Sequence, residues 1–419
     1  MAIVRLALAS LWNRRVTAGL TVLAIALSVT LLLGVEKLRR DARNTFANTI
    51  SGTDLIVGAR SGAVQLLLYS VFRIGDATNN ISWQSYQEIA ASPDVRWTVP
   101  LSLGDSHRGF RVLGTAPEYF EHYRYRDKRR LELAKGKEFE GIFDAVLGAQ
   151  VARDLQYELD DKIVLAHGAG EVSFTEHADK PFVVTGILAP TGTAVDRTIH
   201  IRLAGVEALH VDWKDGRPRR GFRISAEEVA QMDLQPTSIT AFLVGLESKT
   251  AIFRAQRTIG QYRAEPLLAI IPGIALQELW DLMAVAEDAL RVVSIMVVVT
   301  GLLGMLTVIW SSLEARRREM AVLRSVGARG LHIFGLFVSE AGLLALLGLV
   351  CGITFLYGAI LAAAPFAERE FGLAIAFTGL DASDYALLGY IFAAALCAGC
   401  VPALRAYRVS LADGLSVRI

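Results

Sequence analysis

Residues 314 to 328 read Glu314-Ala-Arg-Arg-Arg-Glu-Met-Ala-Val-Leu-Arg-Ser-Val-Gly-Ala328, a short, charged, helix-forming stretch. These side chains form no catalytic motif, and a charged helix of this kind can serve as a handle by which another protein grips the chain. On a helix, Glu314, Arg318 and Glu319 share a solvent face at i, i+4 and i+5. Met320, Val322, Leu323 and Val326 give an apolar side that a partner's groove can take. Gly327 is placed to end the helix. Arg316, Arg324 and Ala328 complete the segment.

Motifs for bond chemistry are missing elsewhere. There is no G-x-x-x-x-G-K-[ST], so the chain cannot hold ATP through a P-loop. Nor is there a G-x-S-x-G, an H-E-x-x-H or a convincing carboxylate pair. We therefore expect no catalytic residues, and no cofactor or metal site in this chain. The seven histidines lack ligand spacing. His200 and His210 flank a strand–helix unit near Asp196 and Asp212, which leaves a transient metal contact open. Cys351, Cys397 and Cys400 all fall in apolar runs. The C-x-x-C of the last two suits small-residue helix packing rather than metal or redox work. A net charge of +1 argues against a general polyanion binder, nucleic acid included.

The elements that position the charged stretch are apolar. A bilayer core takes about 20 apolar residues as a helix. Runs at 16–35, 292–310, 333–364 and 385–401 meet that need, and the charged stretch lies between the second and third. Arg5, Arg14 and Arg15 precede the first run. Arg316, Arg317, Arg318, Arg324 and Arg329 lie between the second and third, and Arg405, Arg408 and Arg418 follow the fourth. Both termini and the loop around residue 320 are therefore expected in the cytoplasm. Lys37, Arg39 and Arg40, just after the first run, go against that assignment. Glu340 is the one ionisable residue well inside an apolar run. It is expected either to fix helix packing by a hydrogen bond or to take part in coupling.

The resulting fold class is an α-helical membrane protein with four transmembrane helices and a large mixed α/β extracytoplasmic domain on a helical stalk. The expected divisions are a cytoplasmic amphipathic helix (1–15), the first span and stalk (16–48), and the periplasmic domain (49–274). A stalk with the second span (275–310) and the coupling loop (311–332) come next. The third span (333–364), a short outer loop (365–384), the fourth span (385–403) and a cytoplasmic tail (404–419) follow. Leu276, Leu279, Met283, Ala286 and Leu290 have a coiled-coil-like spacing, a seam leading into the second span. In the domain, strands are expected at 54–57, 96–101, 110–114, 145–147, 162–165, 182–188, 199–203, 238–246 and 267–271. Helices are expected at 82–91, 117–122, 149–155, 203–211 and 249–263, with Ser82 starting the first. Basic runs at 123–130 and 214–223 read as solvated faces, with anionic lipid or an acidic partner as the alternative.

The stretch from Glu314 to Ala328 resembles the signature after the second span of MacB/FtsX-type ABC permeases, among which the chain is most similar to four-span, LolC/LolE-like members without a fused ATPase. Ser339-Glu-Ala-Gly, Gly348 and Gly352 are similar to that family's third span. Pro402-Ala-Leu-Arg-Ala-Tyr-Arg408 resembles its ending, although the family's usual tail is replaced. Gly136-Lys-Glu-Phe139, 146–152 and 182–188 look like its periplasmic core. Residues 54–60 and 65–81 fit no such pattern and are expected to mark a subgroup.

The resemblance implies a non-catalytic permease subunit in a bacterial inner membrane, paired with a second copy or a paralogue. ATP and Mg would sit on a separate cytoplasmic ABC ATPase dimer gripped by residues 314–328. Membrane lipids, and a periplasmic binding or adaptor protein, are further partners left open. The implied work is mechanotransmission: export or extraction of a lipoprotein, peptide or lipophilic substrate, or support of envelope metal acquisition. The alternatives are an FtsX-like signalling subunit that activates a periplasmic partner without transport, and a receptor or enzyme without an ATPase.

Overall fold

A computed structural model describes residues 2–167, 179–211, 213–214, 217–218, 224–229, 231–232, 234–371 and 379–408. In chain order the elements used below are α1 (Ala2–Asn13), α2 (Arg15–Thr49), β1 (Leu55–Ala59), α3 (Trp83–Ala90), β2 (Val95–His107), β3 (Phe110–Thr115), β4 (Leu133–Gly136), β5 (Asp144–Leu147) and α4 (Ala149–Leu155). Then come β6 (Phe182–Leu188), β7 (Thr198–Arg202), α5 (Leu203–His210), β8 (Ala241–Leu246), α6 (Ile252–Gly260), β9 (Leu267–Ile270), α7 (Pro272–Ala315), α8 (Arg317–Ser325), α9 (Gly330–Phe371) and α10 (Ala382–Arg408). These form two compact units, divided along the chain at Asp41, Met283 and Phe366, with the return near Ile375.

The unit centred on Ala42–Met283 is built on a mixed sheet ordered β9-β1-β8-β2-β3-β7-β5-β6-β4. β1 and β8 are buried along their whole length, which explains why they hold only Val, Leu, Ile, Phe, Ala and Gly. β8 pairs antiparallel with β1 and β2, whereas β7 pairs parallel with β3 and β6 pairs parallel with β5. Phe182, Val184, Ile199 and Ile201 join Val151 and Leu209 in one core. Each fully buried side chain of this size contributes roughly 1.5–3 kcal/mol. Ser82 caps α3 by accepting from the Ser85 amide at 3.2 Å, while Glu265 takes the amide and hydroxyl of Ser82 itself. The basic run at 123–130 becomes a small hairpin, Arg124–Tyr125 against Arg129–Arg130, with Tyr123 and Tyr125 turned inward. Most of the second basic run lies outside the described residues.

Four helices are long and apolar enough to cross a membrane, Arg15–Asn44, Pro272–Leu313, Gly330–Ala364 and Ala382–Arg408, and the other unit holds all of them but residues 42–44 and 272–283. Within a bilayer apolar burial supplies little, so packing and polar contacts must hold such helices together. Ser28 Oγ donates to Val297 O on α7 at 3.1 Å, and Thr30 Oγ1 to Gly352 O on α9 at 3.0 Å. Gly348 and Gly352, four residues apart, let α9 approach α2: a Cβ at either would come within 2.9 Å of Ile25 or Val29. On α10 the packed positions are Ala395 and Gly399, so Cys397 is exposed and Cys400 only half-buried. The helix-packing role expected of the C-x-x-C falls to those neighbours, which are smaller and allow a closer approach.

Candidate functional site

α7 ends at Ala315 and α8 begins at Arg317, with Arg316 between them as a non-helical N-cap at φ −103°, ψ 9°. The Arg316 amide reaches Ser312 O at 3.1 Å, and the Met320 amide reaches Arg316 O at 3.0 Å. α8 then stops where the sequence provides for it. Gly327 adopts φ +100°, its amide bonds to Arg324 O, and the Ala328 amide bonds to Leu323 O at 3.0 Å.

At the centre is Arg316, whose side chain is 6% exposed. Its Nε donates to Glu319 Oε2 at 2.9 Å and its Nη1 to Glu340 Oε1 at 2.7 Å. Its guanidinium lies 5.4 Å from the Phe337 ring centre. Burial works against the charge, but Glu340 and Glu319 hold the guanidinium above its ordinary range. Glu340 is 5% exposed and sits one helical turn beyond Phe337 on α9. Arg316 and Glu340 therefore lock the entry to α8 onto α9. Arg324 Nη2 donates to Tyr407 O at 2.8 Å, and Arg405 stacks on Trp310 at 4.6 Å, tying in the end of α10.

The structure divides the apolar side expected on this helix. Met320 and Ala321 are 4% exposed and pack into the protein's own bundle, whereas Val322 and Val326 are 53% and 82% exposed. A short amphipathic helix that caps a bundle must spend one face on that bundle. What remains for a partner is a groove of about 480 Å³ lined by Leu6 of α1, Arg316, Glu319, Val322 and Leu323. Ala328 is half-buried. The side chains of Glu314 and Arg318 lie outside the described residues.

The seam expected through Leu276, Leu279, Met283, Ala286 and Leu290 is not the line the chain covers. Leu276 and Leu279 are half-buried, but Met283 and Leu290 are 45% and 53% exposed, and Ala286 is exposed too. In the membrane unit the covered line of α7 runs through Ser294, Gly301, Met305 and Ile309. Spacing shows that apolar residues share one face of a helix, not which face a neighbour covers.

One polar feature escaped the sequence reading. At the opposite end of the bundle from α8, Glu36 pairs with Arg39 at 2.5 Å and with Arg291 at 3.6 Å. Arg39 also lies 3.8 Å from Glu287. Arg40 meets Asp384 at 2.5 Å, Asp381 at 3.1 Å and Ser383 at 2.7 Å. Charges that broke the expected pattern after the first span are thus held in ion pairs. The i, i+3 spacing of Glu36 and Arg39 was the one local clue; the partners on α7 and α10 are remote in sequence.

His200 is fully buried, with Nδ1 3.3 Å from Val146 O and Nε2 without a partner. Burial lowers its pKa to about 3, so it is neutral. His210 Nδ1 faces Val206 O at 2.7 Å, and Asp196 accepts from the amides of Thr191 and Gly192. Asp212 lies outside the described residues. Among the described residues no group of His, Cys, Asp and Glu is arranged to hold a metal.

A mixed α/β domain, four apolar helices and a short polar helix clamped between the second and third define a membrane permease with an extracellular domain. The profile of the MacB-like periplasmic core domain matches residues 18–260, and that of the FtsX-like permease C-terminal region matches residues 291–411. The chain belongs to this MacB/FtsX-type family of ABC transporter permease components. Among solved structures it is similar to the periplasmic region of MacB from Actinobacillus actinomycetemcomitans, at 10% identity and TM-score 0.35. That match covers 55% of this chain and 94% of the other. It is also similar to the extracellular domain of the noncanonic ABC-type transporter YknZ from Gram-positive bacteria, at 12% identity and TM-score 0.31, covering 52% and 99%. No curated protein matches the chain.

Proposed function

We propose that this chain couples ATP hydrolysis by a separate cytoplasmic ATPase dimer to conformational work on the far side of a bacterial inner membrane. Both termini and α8 face the cytoplasm in this reading, the α/β domain faces the periplasm, and a second permease copy or paralogue completes the assembly. The observation that carries it is the buried Arg316–Glu340 joint. Force applied to α8 by a subunit seated in the groove beside Leu6 and Leu323 would reach α9 through the Arg316–Glu340 ion pair and α7 across the single junction residue Arg316, whose amide bonds to Ser312 O. α7 is 44 residues long, about 66 Å at 1.5 Å per residue, and carries that displacement outward. ATP and Mg belong to the partner. The work done is export or extraction of a lipoprotein, peptide or lipophilic substrate, or support of metal acquisition in the envelope.

Co-purification of the tagged chain in mild detergent tests this. An ABC ATPase should stay bound to the wild type and be lost from Glu319→Ala/Leu323→Asp. Met283→Pro should keep the ATPase bound, break α7 at a cost of about 3 kcal/mol, and remove substrate-stimulated hydrolysis. A solitary wild-type chain, or full stimulation in Met283→Pro, would refute the coupling.

A further inference from the structure

The elbow between α1 and α2 carries a feature that coupling does not use. A cavity of about 440 Å³ opens there, lined by Asn13, Arg14, Arg15, Val16 and Thr17 on one side and by Val308 and Ser311 of α7 on the other. Among the described residues no carboxylate lines it, and neither guanidinium is engaged in an ion pair. Thr17 Oγ1 and Ser311 Oγ already donate to backbone carbonyls, of Arg14 and Val308, so what they offer a ligand is secondary to the two cations. The surroundings fix the depth of the site. Trp12, Val16 and Leu8 are 76%, 71% and 50% exposed. Exposed Trp and apolar residues on a short helix followed by a span mark the boundary between headgroups and acyl chains.

We propose that this elbow is a binding site for an anionic phospholipid of the adjoining leaflet, its phosphodiester between Arg14 and Arg15 and its first acyl carbons against Val16 and Val308. The absence of a lining carboxylate sets the selectivity. A zwitterionic lipid would bring an ammonium group that finds no counter-charge among these residues and two arginines of its own sign. The site sits where α1 meets α2, beside a helix that also lines the α8 groove through Leu6. Lipid bound there would fix the angle of α1 at the bundle.

Native mass spectrometry of the full-length protein in mild detergent provides the test, with phosphatidylglycerol, phosphatidylcholine and inorganic phosphate as probes. The wild type should retain phosphatidylglycerol in preference to phosphatidylcholine. Arg14→Gln/Arg15→Gln should weaken retention about 30-fold, from about fivefold per arginine near a membrane surface. Ser311→Phe, which fills the cavity and keeps both arginines, should also lose the lipid, and Arg405→Gln should retain it. Equal retention of phosphatidylcholine, retention that survives both site variants, or an equal loss in Arg405→Gln would overturn the proposal. Displacement of the lipid by millimolar inorganic phosphate would overturn it too, assigning the site to a free anion.

Discussion

The two ends of the membrane unit handle charge in opposite ways. Beside α8, one arginine and one carboxylate face each other almost dry, at 6% and 5% side-chain exposure. At the other end Glu36, Arg39, Arg40, Glu287, Arg291, Asp381 and Asp384 share contacts; Asp384 is 4% exposed, but Asp381 and Arg291 reach water at 70% and 50% exposure and the rest are partly open. A dry pair has no water to take over when one member is lost. A wet mesh has both water and alternative partners. The first therefore acts as a rigid joint, and the second as a patch that tolerates change.

Breaking the joint should have the largest effect. Arg316→Met leaves Glu340 buried without its cation, and loss of one member of a buried pair typically destabilises by about 3–5 kcal/mol. The double variant Arg316→Met/Glu340→Met should recover most of that loss, as read by thermal unfolding in detergent. A double variant as unstable as the single would show that the residues act separately.

His200 sharpens the comparison, because it is a buried polar group that avoids the penalty by staying neutral. Its pKa is about 3 in the folded domain, against an ordinary 6.5, so the unfolded chain binds the proton first as pH falls. Its contribution is present above pH 6.5 and is lost progressively towards pH 3. Between pH 7 and pH 5 the wild type should lose about 2 kcal/mol more than His200→Phe. Identical pH dependence of unfolding in the two proteins would mean that His200 is not held neutral.

The smallest effect belongs to the wet mesh. Arg291→Gln should change stability by less than about 1 kcal/mol, and the change should shrink further in high salt. A loss as large as that of Arg316→Met would erase the distinction between the two ends.

Much of this was legible locally. The helix Ala149–Leu155 and the strand Phe182–Leu188 appear residue for residue, because each has its own periodicity and is bounded by Gly148, Pro181 or Ala189. The π-turn at Leu68–Phe72, after Ala63–Leu67, was not legible, since its side chains fit no single repeat and it is held by the core that includes Tyr69 and Val71. In the candidate site, the helix and its stop at Gly327 could be read, whereas the inward turn of Met320 and the choice of Arg316 among three adjacent arginines could not.

Sequence by itself determined what depends on composition and short-range repeats: four apolar helices, a mixed α/β domain, a charged helix between two spans and the family to which they belong. Tertiary structure alone decided which face of α7 is covered, which arginine meets Glu340, and that Arg39 and Arg40 are neutralised by residues up to 344 positions away. The reason is physical. Hydropathy records preference for a medium, and lipid and protein interior are the same medium to a leucine. Ion pairs depend on distances of a few ångströms, which are set only when helices remote in sequence pack.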